Sequence, residues 1–456
     1  MCGASLLLFA LFAAAALAAT GALTQLSGDA GCVAPPSSSE CADANGLNTP
    51  LSVALSPDGT SVYPASENLN AVSAFSRNVT TGELTQLSGE GGCVTENSST
   101  VPACADGEAL GSPQSIALSP DGRSLYVAAG GSNAVAVFSR NTTTGELTQL
   151  SGTDSCVSED GTGGACADGK ALEGPSSVTV SPDGKSVYVT ALFKDAVAVF
   201  SRDKTTGKLT QLSGDDGCVQ WVGQANAGCT SHNVLDNPLS VAVSPDGKSV
   251  YVAAAGSSSA VDVFSRNTTT GKLTQLTGNA KCVSDDGSND ECENGQALQG
   301  ATSVAVSRDK KSVYVASAGS DAVAIFKRNT TTGKLTQPAD TAGCVSEDGG
   351  PNCIDGKLLA APVSVAVSRD KQSVYVASRD SDALAVFSRN TTSGALTQLP
   401  DPEGCVTDGG NFGGQCTQAK ALDSPRSAAV SSERKPISVY VASRSSDGVA
   451  VFRRSR

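Results

Sequence analysis

The run SVAVSPDGKSVYVA recurs seven times in close variants, and this recurrence constrains the chain more than any other feature. The Ser that opens its turn stands at 56, 119, 181, 244, 307, 368 and 431, so successive copies lie 61 to 63 residues apart. A period of this size dictates stacked units, each burying its apolar face against its neighbours. In the third repeat, residues 177–180, 186–189, 196–200 and 208–212 have strand character, and Pro-Asp-Gly or Thr-Thr-Gly turns divide them. Bulky Val alternates with Ala or Ser, which lets stacked sheets interlock on both faces. Four antiparallel strands repeated seven times give an all-β, seven-bladed β-propeller. Leu23-Thr24-Gln25-Leu26 matches the outer strand but precedes the first inner strand, and the last repeat lacks one after Phe452. The N-terminal strand is therefore expected to complete the last blade and close the ring.

Residues 5–18 are apolar and uncharged, and at 14 residues they are shorter than the roughly 17 to 25 that span a bilayer. They end in Ala16-Leu17-Ala18, which reads as a secretory signal over residues 1–19; an uncleaved N-terminal anchor is the alternative. Residues 20–456 then form one propeller domain. Of the 15 Cys, Cys2 leaves with the signal. The other fourteen fall in pairs within the loop between each outer strand and the next inner one: Cys32/Cys41, Cys93/Cys104, Cys156/Cys166, Cys218/Cys229, Cys282/Cys292, Cys344/Cys353 and Cys405/Cys416. No CxxC spacing accompanies them, so intraloop disulfides in an oxidising compartment are expected rather than metal ligation. Strand parity puts these loops on one face with the turns between second and third strands. The Pro-Asp-Gly and Asn-Thr-Thr-Thr-Gly turns occupy the other face. Sequons at Asn78, Asn141, Asn267, Asn329 and Asn390 lie in the latter, and a sixth at Asn97 lies in a disulfide loop. The same Asn-Thr-Thr-Thr-Gly sequence is also good turn chemistry.

Repeats of the SPDGKSVYVA…AVAVFSRN…GKLTQL type resemble the lactonase-like seven-bladed propellers. That family includes 6-phosphogluconolactonases, carboxymuconate lactonizing enzymes and YVTN surface-protein repeats. The resemblance covers the whole mature chain and implies the fold. It also implies lactone chemistry, but the repeated residues that carry it are those that build blades.

Composition closes several alternatives. Asp and Glu exceed Lys and Arg by 45 to 32, a net charge of −13, which argues against nucleic acid as a partner. A single His excludes HExxH zinc sites and multi-histidine mechanisms. The acidic loops 158–161, 284–287 and 346–349 do not follow the D-x-[DN]-x-[DN]-G calcium pattern, so solvated turns are the stronger reading and no cofactor is expected. Gly184-Lys185-Ser186 and Gly247-Lys248-Ser249 lack the upstream Gly of a P-loop and lie in hairpins.

What recurs seven times is architecture, so a site is sought among residues that do not recur. The seven Tyr and seven of the Phe are periodic, and Phe9 and Phe12 belong to the signal. Phe193, Trp221 and Phe412 remain. Trp221 shares a loop with the lone His232, and Phe193 with Lys194 occupies a turn on the same face. The residue preceding each inner-strand Ser should line the channel mouth: Leu51, Gln114, Ser176, Leu239, Thr302, Val363 and Arg426. Arg426 is the only charge in that ring and suits a carboxylate or phosphate. The candidate ligand-binding set is thus Phe193, Lys194, Trp221, His232, Phe412 and Arg426, with His232 and Arg426 as the catalytic candidates. Two functions are compatible with this set. The first is an exported, disulfide-stiffened, monomeric scaffold that binds a small molecule, carbohydrate or protein on the disulfide-loop face. The second is a lactone-hydrolysing or lactone-forming enzyme. Scarcity of catalytic side chains favours the scaffold.

Overall fold

The computed structural model describes residues 21–455 apart from 39, 225–227, 233, 286–290, 351, 411–413 and 432–436. Its strands form seven sheets. Sheets 1 to 7 are numbered by their innermost strands: Pro50–Leu55, Pro113–Leu118, Pro175–Val180, Pro238–Val243, Ala301–Val306, Pro362–Val367 and Pro425–Val430. In sheet 3 the innermost strand pairs antiparallel with Ser186–Ala191, which pairs with Ala196–Arg202. The Pro-Asp-Gly turn between the first two is held by its own side chains. Ser181 Oγ bonds Asp183 Oδ1 at 2.6 Å and accepts the Ser186 N–H at 3.0 Å. Tyr, Phe and Val from facing sheets are wholly buried between them.

The outer part of each sheet differs from the expected single fourth strand. In sheet 3, Leu209–Gln211 covers only the C-terminal half of the third strand, at residues 200–202. After a 3-10 turn over Gly214–Gly217, Cys218–Trp221 covers the N-terminal half, at residues 196–198. Thr230–His232 then adds to it in parallel. Each sheet therefore has six strands, one of them parallel, and sheet 1 has seven because its third strand is interrupted at Ala74.

The cysteines explain this departure. All seven expected disulfides are formed: Cys32–Cys41, Cys93–Cys104, Cys156–Cys166, Cys218–Cys229, Cys282–Cys292, Cys344–Cys353 and Cys405–Cys416. Their expected setting in plain loops is corrected, because each bond joins two strands of one sheet. The first cysteine of every pair opens a short strand on the third strand's N-terminal half. The second stands immediately before the parallel strand, so that Cys41 precedes Ala42–Asp43, Cys104 precedes Ala105–Asp106 and Cys166 precedes Ala167–Asp168. Cys229, Cys292, Cys353 and Cys416 likewise precede Thr230–His232, Glu293–Asn294, Ile354–Asp355 and Thr417–Gln418. The cross-link thus holds together two segments too short to pair unaided.

The N-terminal segment contributes three strands to sheet 7 rather than one. Leu23–Gln25 and Cys32–Ala34 both pair with the last strand of the chain, and Ala42–Asp43 adds in parallel. The expected signal over residues 1–19 lies outside the described residues.

Adjacent sheets are joined at the centre by serine. An innermost strand is a sheet edge, so alternate N–H groups lack a ladder partner. Ser52 Oγ accepts the Ile116 N–H, and the same bond recurs from Ser115 to Val178, Ser177 to Val241, Ser240 to Val304, Ser303 to Val365, Ser364 to Ala428 and Ser427 back to Val53, all at 3.2 or 3.3 Å. The circuit closes after seven steps.

On the face of the Pro-Asp-Gly turns, a buried arginine staples each sheet to the one before it. Arg266 donates through Nε to the Tyr188 hydroxyl at 2.7 Å and through Nη2 to Asp183 at 3.0 Å, while Tyr188 donates to Gly271 O at 2.7 Å. Equivalent Arg–Tyr bonds are made by Arg140, Arg202, Arg328, Arg389 and Arg77. The seam between sheets 6 and 7 differs. There Arg454 keeps its ion pair with Asp370, but its Nε and the Tyr375 hydroxyl are buried and, among the described residues, have no hydrogen-bond partner. Burial raises the Tyr375 hydroxyl to about 12.

Removing a buried arginine strands its partners, which costs about 2 to 4 kcal/mol where the partner carboxylate is partly solvated. Arg266→Ala is expected to lose that much in urea unfolding. Arg454→Ala is expected to lose less, because the Tyr375 hydroxyl that it would strand is already unpaired among the described residues.

Candidate functional site

Four of the six candidate ligand residues share sheet 3. Trp221 and His232 are register partners in its outer parallel pair, and Trp221 packs half-buried on a core containing Val219, Leu235 and Val241. The turn carrying Phe193 and Lys194 abuts them: Trp221 N–H donates to Asp195 O at 2.8 Å, and Gln220 Nε2 donates to Lys194 O at 3.0 Å. Phe412 lies outside the described residues. Arg426 sits on the innermost strand of sheet 7, three steps around the ring from sheet 3. The six residues therefore do not make one pocket.

His232 faces the next sheet rather than the channel. Its ring meets Phe264 edge-on at 5.5 Å, and Nδ1 lies 3.0 Å from Gln275 Oε1, which as an acceptor fixes the proton on Nδ1. Gln275 Nε2 donates onward to Asp262 Oδ1 at 3.1 Å. Asp262 is 0% exposed, on a third strand whose counterparts elsewhere are Ala136, Ala198, Ala324, Ala385, Ala450 and Ser73. Among the described residues, Asp262 Oδ2 and His232 Nε2 have no hydrogen-bond partner. Burial pushes the Asp262 carboxyl well above the usual carboxylate range, against the Gln275 bond and the Lys281 charge. Burial also holds His232 below its usual value, with Gln275 opposing and Lys281 reinforcing. This Asp–Gln–His chain is thus held toward its neutral forms, inside a cleft between two sheets.

The channel mouth on the disulfide face carries a second non-repeated group. The turns between second and third strands begin with Glu67, Gly130, Leu192, Ala255, Ala318, Arg379 and Arg444 in sheets 1 to 7. Sheets 6, 7 and 1 thus bring two arginines and a glutamate beside Arg426. Arg444 Nη2 stands 3.5 Å from Glu67 Oε2, Ser112 Oγ donates to Glu67 Oε1 at 3.3 Å, and Arg379 pairs with Asp380 at 2.5 Å. Arg426 Nε and Glu67 Oε2 are buried and, among the described residues, make no hydrogen bond. Burial lowers the Arg426 pKa, Arg444 and Arg379 lower it further, and Glu67 and Asp380 oppose them. The other ring residues are half-buried at the register shift that opens each innermost strand; Ser176 and Thr302 each donate to a carbonyl of the next sheet, Pro238 O and Pro362 O, at 2.8 Å. Arg426, beside the Arg444–Glu67 and Arg379–Asp380 pairs, can bind an anionic or carbonyl oxygen, and Glu67 can present a base to water.

Sequence reasoning singles out Arg426 and His232 but not their neighbours Glu67, Arg379, Arg444, Asp262 and Gln275. The signal for four of them is the departure from the repeat at an aligned position. Gln275 is itself periodic and carries no such mark. Among the described residues there is no group of three or more His, Cys, Asp or Glu suited to a metal, and no helix long and apolar enough to cross a membrane.

With this geometry in hand, comparison with known proteins identifies the class. The sequence matches the family model described as Lactonase, 7-bladed beta-propeller, over residues 93–159, 113–285 and 288–405, more than half of the chain. The chain belongs to this lactonase propeller family. No curated protein matches the sequence. Among solved structures, the periplasmic gluconolactonase of Pseudomonas aeruginosa is 20% identical, with a TM-score of 0.51, 83% of this chain covered and 93% of that one. A Bacteroides uniformis protein assigned by name only as a 6-phosphogluconolactonase is 21% identical, with a TM-score of 0.52 over 77% of this chain and 84% of that one. Hydrazine synthase of Kuenenia stuttgartiensis scores 0.52 at 17% identity over 90% and 97%. At these identities the likeness is one of fold. Seven disulfides fit a protein that matures in an oxidising compartment.

The buried acid has a measurable consequence. A carboxyl whose folded pKa is raised keeps its proton after the unfolded chain has lost it. The cost of its ionisation is therefore absent below about pH 4 and grows as pH rises above that. Asp262→Ala, which restores the residue held by all but one of the other repeats, is expected to raise stability by about 1 to 3 kcal/mol near neutral pH. Melting curves of mutant and wild type should converge toward pH 4.

Proposed function

We propose that the protein is an exported lactonase that opens a sugar-derived lactone at the disulfide-face mouth of a seven-bladed ring. The observation that carries this is the group around Arg426, since family membership alone names the fold and its usual chemistry but no residues. In this reading Arg426 and Arg444 hold the lactone carbonyl oxygen, and Glu67 takes a proton from an attacking water. A bond forms between the water oxygen and the carbonyl carbon, and the ring C–O bond breaks. The proton passes to the departing ring oxygen, leaving a hydroxy acid whose carboxylate lies against the arginines. Arg379, held by Asp380, adds to the positive potential at the mouth.

The family assignment favours this reading over the non-catalytic scaffold. Export rests on the short apolar N-terminus and the seven disulfides. N-glycosylation at Asn78, Asn141, Asn267, Asn329 and Asn390 is part of the same proposal. Each of these side chains is exposed, and its Oδ1 alone caps the turn. Asn97 joins them on the disulfide face, exposed and with Oδ1 accepting the Ser99 N–H.

Hydrolysis of glucono-1,5-lactone, followed by proton release, tests the proposal. Arg426→Ala and Glu67→Gln are each expected to lower kcat/KM by about 10²- to 10³-fold with the melting temperature little changed. A wild-type chain inert to a panel of aldonolactones would return the scaffold reading. Activity that both variants retain would move the site elsewhere.

A further inference from the structure

A second feature of the same face stands across the channel from Arg426. Phe193 is 62% exposed, the most exposed large apolar side chain among the described residues. The aligned turn positions in the other sheets hold Asn68, Gly131, Gly256, Gly319, Asp380 and Ser445. Its ring is seated on backbone: a Cβ added at Gly174 would fall 2.5 Å from Phe193 Cδ2, and Gly174 has φ +67°.

The turn itself is firmly held. Phe193 N–H donates to Glu173 O at 3.1 Å. The next residues are fixed too, Lys194 Nζ by Glu173 at 2.9 Å and Glu159 at 3.6 Å. Asp195, left-handed at φ 48°, accepts the Asn237 N–H at 2.8 Å and the Gln224 amide at 3.1 Å. The ring is therefore backed by Gly174 on a held turn and otherwise largely open to solvent.

Beside this turn lies a recess of about 370 Å³, lined by Glu96, Ser132, Asn133, Glu159, Asp160 and Glu173 among others. Its walls are hydroxyls, amides and carboxylates, and two of its acids anchor Lys194. An aromatic face next to a set of hydrogen-bonding groups suits a pyranose, whose axial C–H surface stacks while its hydroxyls find polar partners.

Position then sets the size of the ligand. Innermost strands of neighbouring sheets approach within 8 Å of one another, so three steps around a seven-membered ring set those of sheets 3 and 7 roughly 15 Å apart. One sugar ring held at Arg426 does not reach Phe193. We propose that Phe193 and the adjoining recess are a subsite for a second pyranose, so that the substrate is an aldonolactone bearing a glycosyl substituent. This inference rests on the lactonase reading for its reaction and on Phe193 for its specificity.

The test compares kcat/KM for cellobiono-1,5-lactone with that for glucono-1,5-lactone. Wild type is expected to prefer the two-ring lactone, Phe193→Ala to lower that ratio about tenfold, and Phe193→Trp to keep it. An unchanged ratio in Phe193→Ala overturns the subsite and leaves the lactonase reading standing. If wild type opens neither lactone, calorimetry with cellobiose separates the two ideas. Binding lost in Phe193→Ala supports the subsite while the hydrolase reading fails. Absence of wild-type binding overturns the subsite as well.

Discussion

The hydrogen bond from each innermost strand to the serine of its neighbour is the interaction on which the ring depends. An inner strand must leave one edge facing the channel, where its N–H groups meet neither a ladder partner nor bulk water freely. A serine one residue before the Val, Ile or Ala of each strand supplies an acceptor of the right length for the next sheet. Seven such bonds form a closed circuit, Ser427 to Val53 included, so the first and last repeats meet as neighbours do elsewhere. The outer rim repeats the principle with a different side chain. Gln149 accepts the N–H of Glu108 and donates to its carbonyl, and Gln25 does the same to Lys420 across the join between the chain ends.

Much of this was legible in the sequence because the period leaves few alternatives. Seven copies of a turn at fixed spacing, each followed by alternating Val and small residues, admit little besides a ring of sheets. The fourth strand was harder to read. Cys218–Trp221 and Thr230–His232 are short and polar at one end, and their pairing depends on a covalent link and on the N-terminal half of the third strand. Sequence periodicity is blind to strands of two or three residues held in place by a disulfide. The site was legible to the extent that departures from the repeat could be compared at aligned positions. Arg426 stands out in a ring of neutral residues; Glu67 and Arg444 become visible only when turns from opposite ends of the chain are set side by side.

Asp262 shows the cost of such departures. An acid placed where the other repeats hold Ala or Ser has neither water nor a full set of donors, and one amide from Gln275 cannot replace them. A sequence selected for stability alone would not keep it, since Ala fits the same strand. The pairing with the only His, through one side chain, places both unsatisfied atoms in one seam. That seam borders the sheet that also carries Trp221 and Phe193, so the irregularities of the chain concentrate in sheets 3 and 4 and, opposite them, in sheets 6, 7 and 1.

The two faces of the ring differ in how much they allow to vary. On the Pro-Asp-Gly face, each Arg–Tyr–Gly staple uses a residue from both turns, and the Asn caps accept two N–H groups through Oδ1. Asp203 replaces Asn in one repeat and accepts the same two N–H groups, so even this exception preserves the geometry. The Arg–Asp pairing between sheets persists even where the Arg–Tyr bond is missing, at Arg454, and where Arg-Asp-Lys replaces Pro-Asp-Gly, at residues 308–310 and 369–371. On the opposite face the disulfides relieve the loop residues of that duty. The backbone is tied at Cys218 and Cys229, and side chains between and beside the ties are free to differ from repeat to repeat. The Arg426 group, the exposed Phe193 and the recess beside it all occur on this face, where a residue can have a fixed position without a structural task. The site proposed for this molecule uses that freedom, since Glu67, Arg379, Arg426 and Arg444 all stand where most other repeats hold different residues.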